Sequence, residues 1–244
     1  MPVDVLVVVP TYNESENLAD LSAAVLEKGV QLLVVDDGSP DGTGDLADDL
    51  ADGEWFHVLH RASKQGIGPA YAAGLEWGLA HGAGVLCEMD ADLSHDPADL
   101  PRLLAAVDEG ADVALGSRYV EGGGVENWPL RRRLLSRAGN LYASTLLGCR
   151  IRDMTSGYRA FTAEAVRRLD PSSCGASGYA FQIEMAWKAA ALDMTVTEVP
   201  ITFRDRERGA SKMSTPIAVE AIRLVTSWGW GRMRGTLPWD ADHA

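Results

Sequence analysis

Apolar runs and helical spacings alternate along the first half of this chain. Val3 to Val9 forms an apolar run that predicts a strand. Between Glu14 and Lys28, Leu18, Leu21, Val25 and Leu26 recur at helical spacing. The alternation continues with strands predicted at Gln31 to Val35, Trp55 to Leu59, Val85 to Met89 and Val113 to Gly116. Helices are predicted at Thr43 to Leu50, Ile67 to Ala80 and Pro97 to Glu109. Strands of continuous apolar character, each followed by a helix, imply a parallel sheet covered on both faces, an α/β fold. Such sheets bind ligands outside the carboxyl ends of their strands. Polar residues follow the strands at Asn13-Glu14, Asp36-Asp37, Asp90 to Asp92 and Ser117-Arg118, so they are expected to share one edge.

The pattern changes after residue 118. Gly122-Gly123-Gly124 predicts a loop. Pro129 to Leu147 is helical, with Leu130, Leu134, Ala138, Leu141, Tyr142 and Thr145 on one stripe and Arg132, Ser136 and Asn140 on another face. Gly178 to Leu192 predicts a helix, Thr195 to Phe203 one strand, and Pro216 to Trp228 a terminal helix. No repeat is visible. The reading is a single domain over 1–244, whose character changes after 118 and again after 215.

The formal net charge is −13, from 22 Lys+Arg against 35 Asp+Glu, which argues against a general nucleic-acid binder. The cations are clustered instead. Arg131, Arg132, Arg133 and Arg137 form one group, and Arg204, Arg206, Arg208 and Lys212 another. Such groups are either solvated faces or places for anionic ligands. The 3 cysteines are scattered, with no metal-ligand spacing, which suggests reduced thiols in a cytoplasmic protein. Neither a secretory leader nor a membrane-spanning run is expected.

Asp90-Ala91-Asp92 carries the most specific chemistry. Two carboxylates one residue apart in extended backbone point the same way and repel unless a cation lies between them. Hard oxygen ligands suit Mg²⁺ or Mn²⁺, ions that bridge a carboxylate to a substrate phosphate. No G-x-G-x-x-G or G-x-x-x-x-G-K-[ST] motif is present. Asp36 to Thr43 reads as a turn capping a helix, with Asp37 a candidate for holding a base or a ribose hydroxyl. Asp90 to Ser94 also fits the D-x-D-x-[ST] pattern of haloacid-dehalogenase-type phosphatases, with Asp90 as nucleophile. In that fold the motif follows the first strand, and here it follows the fourth. A calcium-loop reading fails, because His95 and Pro101 replace the required Gly and Glu.

In combination, PTYNESENL (10–18), DDGSPDGT (36–43), DADLSH (90–95), GSRY (116–119), Trp128 with Arg132, Ser136 and Asn140, DMTSGYRAF (153–161), GYAFQIEM (178–185) and FRDRERGASKM (203–213) resemble the family 2 glycosyltransferases of the GT-A fold. The Ser-Gly-Tyr-Arg segment and the Arg206…Lys212 loop point to the dolichyl- or polyprenyl-phosphate mannose synthases within them. The resemblance implies a GT-A-like, Rossmann-related, mostly parallel sheet with helices on both faces and a C-terminal acceptor region, divided into a nucleotide-sugar-binding half (1–118), an acceptor half and lid loop (119–215) and an amphipathic C-terminal segment (216–244). It implies that Pro10, Tyr12, Glu14 and Asp37 line a nucleotide pocket. It assigns Asp90 and Asp92 to the metal, with Ser94 a candidate third ligand where the family often has Gln. It assigns Arg118, Arg132 and Ser136 to the acceptor phosphate, and Arg206 and Lys212 to a lid over the donor diphosphate. Asp92, Arg118 and Arg132 are the residues implied in catalysis.

The activity so implied is inverting mannose transfer from GDP-mannose to polyprenyl (dolichyl) phosphate. An anionic phosphate acceptor attacks without a tuned base, so metal and cationic clamps matter most. The alternatives are UDP-glucose transfer to the same acceptor, a phosphatase, and a catalytically silent anion-binding module. His95 is expected to be structural, bonding the turn. Residues 204–214 are expected to close over bound donor. A polyprenyl acceptor requires contact with the cytoplasmic face of a membrane, expected through the stripe Ile217, Ala221, Leu224, Val225 and Trp228 and reinforced by a separate anchoring protein. Packing of that stripe on the catalytic domain is the competing expectation.

Overall fold

A computed structural model describes residues 4–176, 178–205, 215–237 and 239. The alternation read from the sequence is present. The chain runs through β1 (Val5–Thr11), α1 (Leu18–Leu26), β2 (Gln31–Asp36), α2 (Thr43–Leu50), β3 (Phe56–His60), α3 (Ile67–Ala80), β4 (Val85–Glu88), α4 (Leu100–Asp108) and β5 (Val113–Ser117). It continues through β6 (Gly124–Glu126), α5 (Leu130–Leu147), β7 (Arg159–Thr162), α6 (Ala163–Leu169), α7 (Tyr179–Ala191), β8 (Val196–Pro200), β9 (Thr202–Arg204) and α8 (Thr215–Met233).

Seven strands form one sheet in the order β3-β2-β1-β4-β7-β5-β8. All neighbours are parallel except β7, which runs antiparallel to both β4 and β5. The chain leaves β1 towards β2 on one side and returns to β4 on the other. That reversal opens a crevice at the carboxyl ends of β1 and β4.

Strand alternation divides the core. Val7, Val9, Leu32 and Val34 face α1, α2 and α4 through Leu21, Ala47 and Leu103. Leu6, Val8, Leu33 and Val35 face α3, α6 and α7 through Leu75, Val166 and Phe181. A third apolar cluster joins Leu115 to α5, α7 and α8 through Leu147, Trp187 and Trp228.

Three features depart from the sequence reading. β7 and α6 were not anticipated as elements. β7 is four residues long and begins with a fully buried arginine, so it lacks the apolar run of a central strand. The single strand expected over 195–203 is two strands in different sheets. β8 pairs with β5 as far as Pro200, and β9 pairs with β6 in a separate two-stranded sheet. Gly124, expected in a loop, opens β6.

The stripe on the terminal helix faces inward. Val225 and Trp228 are buried, and Ala221 and Leu224 pack against the third cluster. The packing expectation therefore holds for these four. The side chain of Ile217 lies outside the described residues.

α3 approaches the sheet closely because it presents glycine there. A Cβ on Gly74 would collide with Val8 Cγ1 and come within 3.0 Å of Val35 Cγ2. Gly139, exposed on α5, has nothing within 4 Å of such an atom. Helix propensity favours Ala over Gly by about 1 kcal/mol at either place, whereas overpacking costs about 1–3 kcal/mol. Gly139→Ala is therefore expected to raise the midpoint of denaturant unfolding, and Gly74→Ala to lower it. Equal shifts in the two variants would contradict this packing.

Candidate active site

The crevice at β1 and β4 contains a cavity of about 300 Å³. Pro10, Thr11, Tyr12 and Glu14 line it after β1, Asp37 after β2, and Asp90 to Asp92 after β4. The predicted convergence holds for these residues. Arg118, Arg132, Ser136 and Ser94 do not line the cavity. Arg206 and Lys212, with most of the expected lid, lie outside the described residues.

The loops after β1 and β2 are tied to one another. Asp36 is buried and accepts from Thr11 Oγ1 and from the amides of Gly38 and Ser39, each at 3.1 Å. It holds the turn, which leaves the neighbouring Asp37 facing the cavity. Asp37 accepts from Arg61 and from the Gln65 amide. The Glu14 amide donates to Thr43 Oγ1 at 2.9 Å, and the Glu14 carboxylate accepts from Asn17 Nδ2 at 3.1 Å. Lys64 Nζ lies 3.9 Å over the Tyr12 ring, and both residues line the cavity. Arg61 and Lys64 carry no pattern in sequence. They come from the β3–α3 loop, and only the fold brings them to the crevice.

The acidic pair sits at the centre. Tyr71 donates its phenol proton to Asp90 Oδ1 at 3.0 Å. Burial first, and then the Asp90 charge, hold that phenol protonated. His95 Nδ1 accepts the Asp90 amide proton at 3.2 Å, and burial lowers its pKa below the usual histidine value. His95 therefore supports the turn as expected, stacked on Tyr158 at 5.0 Å. Asp92 Oδ1 accepts from the Ser94 amide at 3.0 Å, and Ser94 Oγ is buried with no partner among the described residues.

This donor set fits a hard divalent cation. Two carboxylates reach one cavity and offer oxygen alone. Among the described residues no group of three His, Cys, Asp or Glu could hold an ion unaided, so a ligand or water would complete its shell.

The far wall of the cavity comes from two segments quoted for the resemblance, 153–161 and 178–185, to whose residues the sequence reading gave no role. It consists of Thr155 and Gly157 before β7, and Gly178 and Gln182 at the start of α7. A Cβ on Gly157 would lie 3.4 Å from Asp90 Oδ1 and 3.6 Å from Gln182 Nε2, so glycine keeps that space open. Behind the wall, Gln182 Nε2 donates to Glu88 Oε2 at 3.0 Å. Glu88 is the cross-strand partner of Arg159. The Arg159 guanidinium donates to the carbonyls of Ser156, Met154 and Gln182 at 2.9, 3.1 and 2.8 Å.

A second polar cluster adjoins the cavity through Thr155. Arg118 and Asp153 form a buried bidentate pair, with Nε to Oδ2 at 2.7 Å and Nη2 to Oδ1 at 2.6 Å. Arg118 Nη2 also donates to Thr155 Oγ1 at 2.7 Å, and Asn140 Nδ2 donates to the same oxygen at 3.1 Å. Ser136 Oγ accepts from the Tyr119 hydroxyl at 2.6 Å. Arg132 lies 4.0 Å over the Trp128 ring and donates to Asp205 at 2.9 Å. Arg118 and Asn140 thus meet at Thr155, Ser136 adjoins them through its carbonyl bond to Asn140, and Arg132 stands at the edge of this cluster.

Solved structures share this architecture. A glucosyl-3-phosphoglycerate synthase from Mycobacterium tuberculosis, in complex with Mn²⁺, UDP and glucosyl-3-phosphoglycerate, matches with a TM-score of 0.67 at 20% identity. The match covers 96% of this chain and 81% of that one. A mannosyltransferase from Pyrobaculum calidifontis, in complex with GDP-Man and Mn²⁺, matches with a TM-score of 0.53 at 18% identity, over 99% of this chain and 78% of that one. The fold is that of the GT-A glycosyltransferases, as the sequence implied. A family model for glycosyl transferase family 2 matches residues 6–170, and the chain belongs to that family.

Two relatives are similar along nearly their whole length. A polyprenol monophosphomannose synthase of Mycolicibacterium smegmatis is 53% identical over 236 residues, covering 95% of this chain and 88% of that protein. An undecaprenyl-phosphate mannosyltransferase of Micrococcus luteus is 50% identical over 242 residues, covering 96% of this chain and 98% of that protein.

Burial pushes the Glu88 carboxyl from 4.5 up to about 7, against the opposing pull of Arg159. The folded protein then keeps a proton that the unfolded chain has released. This contribution to stability is full below the unfolded value and is lost as pH rises towards 7. Glu88→Gln is expected to make the fall in unfolding midpoint between about pH 5 and 7 shallower. An unchanged slope in urea titrations across that range would count against a protonated Glu88.

Proposed function

We propose that this glycosyltransferase moves mannose from GDP-mannose to a polyprenyl phosphate, with inversion at the anomeric carbon. The observation that carries this reading is the 53% and 50% identity to two relatives named for mannosyl transfer to polyprenol phosphates. The cavity supports it. It offers carboxylates to a cation and leads, through Thr155, to a cluster rich in arginine and hydroxyl groups.

The residues divide the task. Pro10, Tyr12, Glu14 and Asp37 bind the nucleoside, with Asp37 held in place by Arg61. Asp90 and Asp92 would hold Mg²⁺ or Mn²⁺, whose charge offsets that of the departing diphosphate. Tyr71 orients Asp90, and the Ser94 amide orients Asp92. Arg118, Arg132 and Ser136 receive the acceptor phosphate at the edge of the Thr155 cluster. The acceptor oxygen is already anionic near neutral pH, so it attacks without surrendering a proton. Arg206 and Lys212 close over the donor. Among the described residues no helix is long and apolar enough to cross a membrane, and we assign the protein to peripheral contact with the cytoplasmic leaflet.

A donor screen with a short polyprenyl phosphate tests the reading. Release of GDP with formation of a mannosyl lipid is expected. Release of UDP from UDP-glucose would replace the donor, and inorganic phosphate alone would favour a phosphatase at Asp90. Asp92→Ala should lower turnover by about 100-fold or more while the fold is kept. Excess chelator should do the same to the parent enzyme, and full activity under chelation would sink the metal assignment.

Arg132→Ala should raise the KM for the lipid phosphate about tenfold or more, as loss of a charged hydrogen bond does, with donor affinity unchanged. An equal loss of donor binding by titration calorimetry would move Arg132 to the donor side.

A further inference from the structure

Both arginines assigned to the acceptor phosphate already carry a carboxylate, and the two pairs are built differently. Arg118 and Asp153 are buried and joined by two guanidinium bonds, and the Arg118 amide donates to the same carboxylate at 2.9 Å. Breaking that pair would strand a charge in the interior. Arg132 meets Asp205 through one bond, Nη1 to Oδ2 at 2.9 Å, and 28% and 33% of their side-chain surfaces stay in solvent. Water can solvate either partner there, so this pair separates easily.

Neither partner owes its place to the pair. Arg132 is stacked 4.0 Å over the Trp128 ring, which meets Phe203 edge-on at 5.5 Å. Asp205 follows β9, and the amide of its neighbour Arg204 donates to the Ser94 carbonyl at 3.2 Å, on the turn of the acidic pair. The Arg204 side chain is engaged elsewhere, with Glu126 at 3.1 Å and Asp96 at 3.6 Å. The fold thus delivers the Asp205 carboxylate to a guanidinium that its aromatic support already holds.

A carboxylate and a phosphate offer a guanidinium the same kind of oxygen edge. They share it only against repulsion, since two anions then lie side by side. A phosphate arriving at Arg132 therefore displaces Asp205. Free phosphate gains little from that exchange, because one anion merely replaces another. A phosphate whose attached chain adds contacts of its own gains more.

We propose that Asp205 is a placeholder for the acceptor phosphate: its carboxylate occupies Arg132 until a phosphate monoester with an attached chain takes its place. Asp205 is then a positioning residue that sets acceptor affinity and turns away free phosphate, without touching the reacting atoms. The proposal rests on the lipid-acceptor reading for the identity of the incoming phosphate.

Asp205→Asn tests it, because the substitution removes the charge and keeps the shape. Farnesyl phosphate serves as acceptor and inorganic phosphate as competitor. The KM for farnesyl phosphate and the inhibition constant of inorganic phosphate are each expected to fall about two- to fivefold, the range over which part-exposed ion pairs act. The change should fall on these constants rather than on kcat or on the KM for the sugar donor. Asp205→Glu, which restores the charge, should return both towards the parent values. A higher KM for farnesyl phosphate in Asp205→Asn, in step with Arg132→Ala, would overturn the proposal, because Asp205 would then be holding Arg132 ready for the phosphate. Unchanged constants would overturn it too, since the pair would then be idle. Titration calorimetry with inorganic phosphate and no donor separates this from the acceptor reading. Tighter phosphate binding by Asp205→Asn, with no lipid product from the parent and any donor, would support the exchange at Arg132 and overturn the acceptor reading alone. Normal product formation with unaltered phosphate binding would do the reverse.

Discussion

A single buried guanidinium sets the far wall of the active cavity. Arg159 stands in the middle of the sheet and directs its donors at three backbone carbonyls. Those carbonyls belong to Met154 and Ser156, which bracket Thr155 and precede Gly157, and to Gln182 on α7. Thr155, Gly157 and Gln182 are the residues that face Asp90 across the cavity. A buried cation is costly unless its donors are satisfied, and here three backbone carbonyls offset that cost. The guanidinium fork also suits this task where an ammonium would not, since its donors have fixed directions. The geometry around the acidic pair therefore depends on a residue that need not touch a ligand.

Much of the near wall was legible in the sequence because it depends on local rules. Continuous apolar strands, each followed by a helix, place their carboxyl ends on one edge, so the order of residues alone groups Glu14, Asp37, Asp90 and Asp92. The segments of the far wall stood out only by resemblance, and their place in the fold was not legible. β7 is too short to show a period, and its first residue is a charge at a core position, which argues against a strand until its partners are known. Arg61 and Lys64 sit in a loop whose destination only the tertiary fold decides. α5 was legible as a helix with two faces, yet periodicity reports amphipathicity and says nothing about which side meets the protein; here Leu130, Leu134 and Leu141 are exposed.

The two halves of the site are joined by hydroxyl chemistry. Thr155 faces the cavity and accepts from both Arg118 and Asn140. Arg118 in turn is neutralised by Asp153, whose amide donates to Glu198 at 3.0 Å. A buried, hydrogen-bonded pair of this kind resists rearrangement, because separating it would leave a charge unpaired in a poorly solvating interior. The cluster around Thr155 is therefore held firmly, with Arg132 stacked on Trp128 at its edge.

The antiparallel β7 also dictates an order of assembly. β4 and β5 are made first, yet they touch only through a strand that the ribosome delivers after α5. Until residues 159–162 emerge, β4 is an open edge whose Leu86 and Cys87 have no neighbour on that side. Nascent sheets with such edges recruit stray strands. That edge of β4 stays open until β7 joins it, a closure between segments far apart in sequence and slow by loop-closure entropy. The strand that completes the cavity is thus also the one that covers the exposed edge of β4.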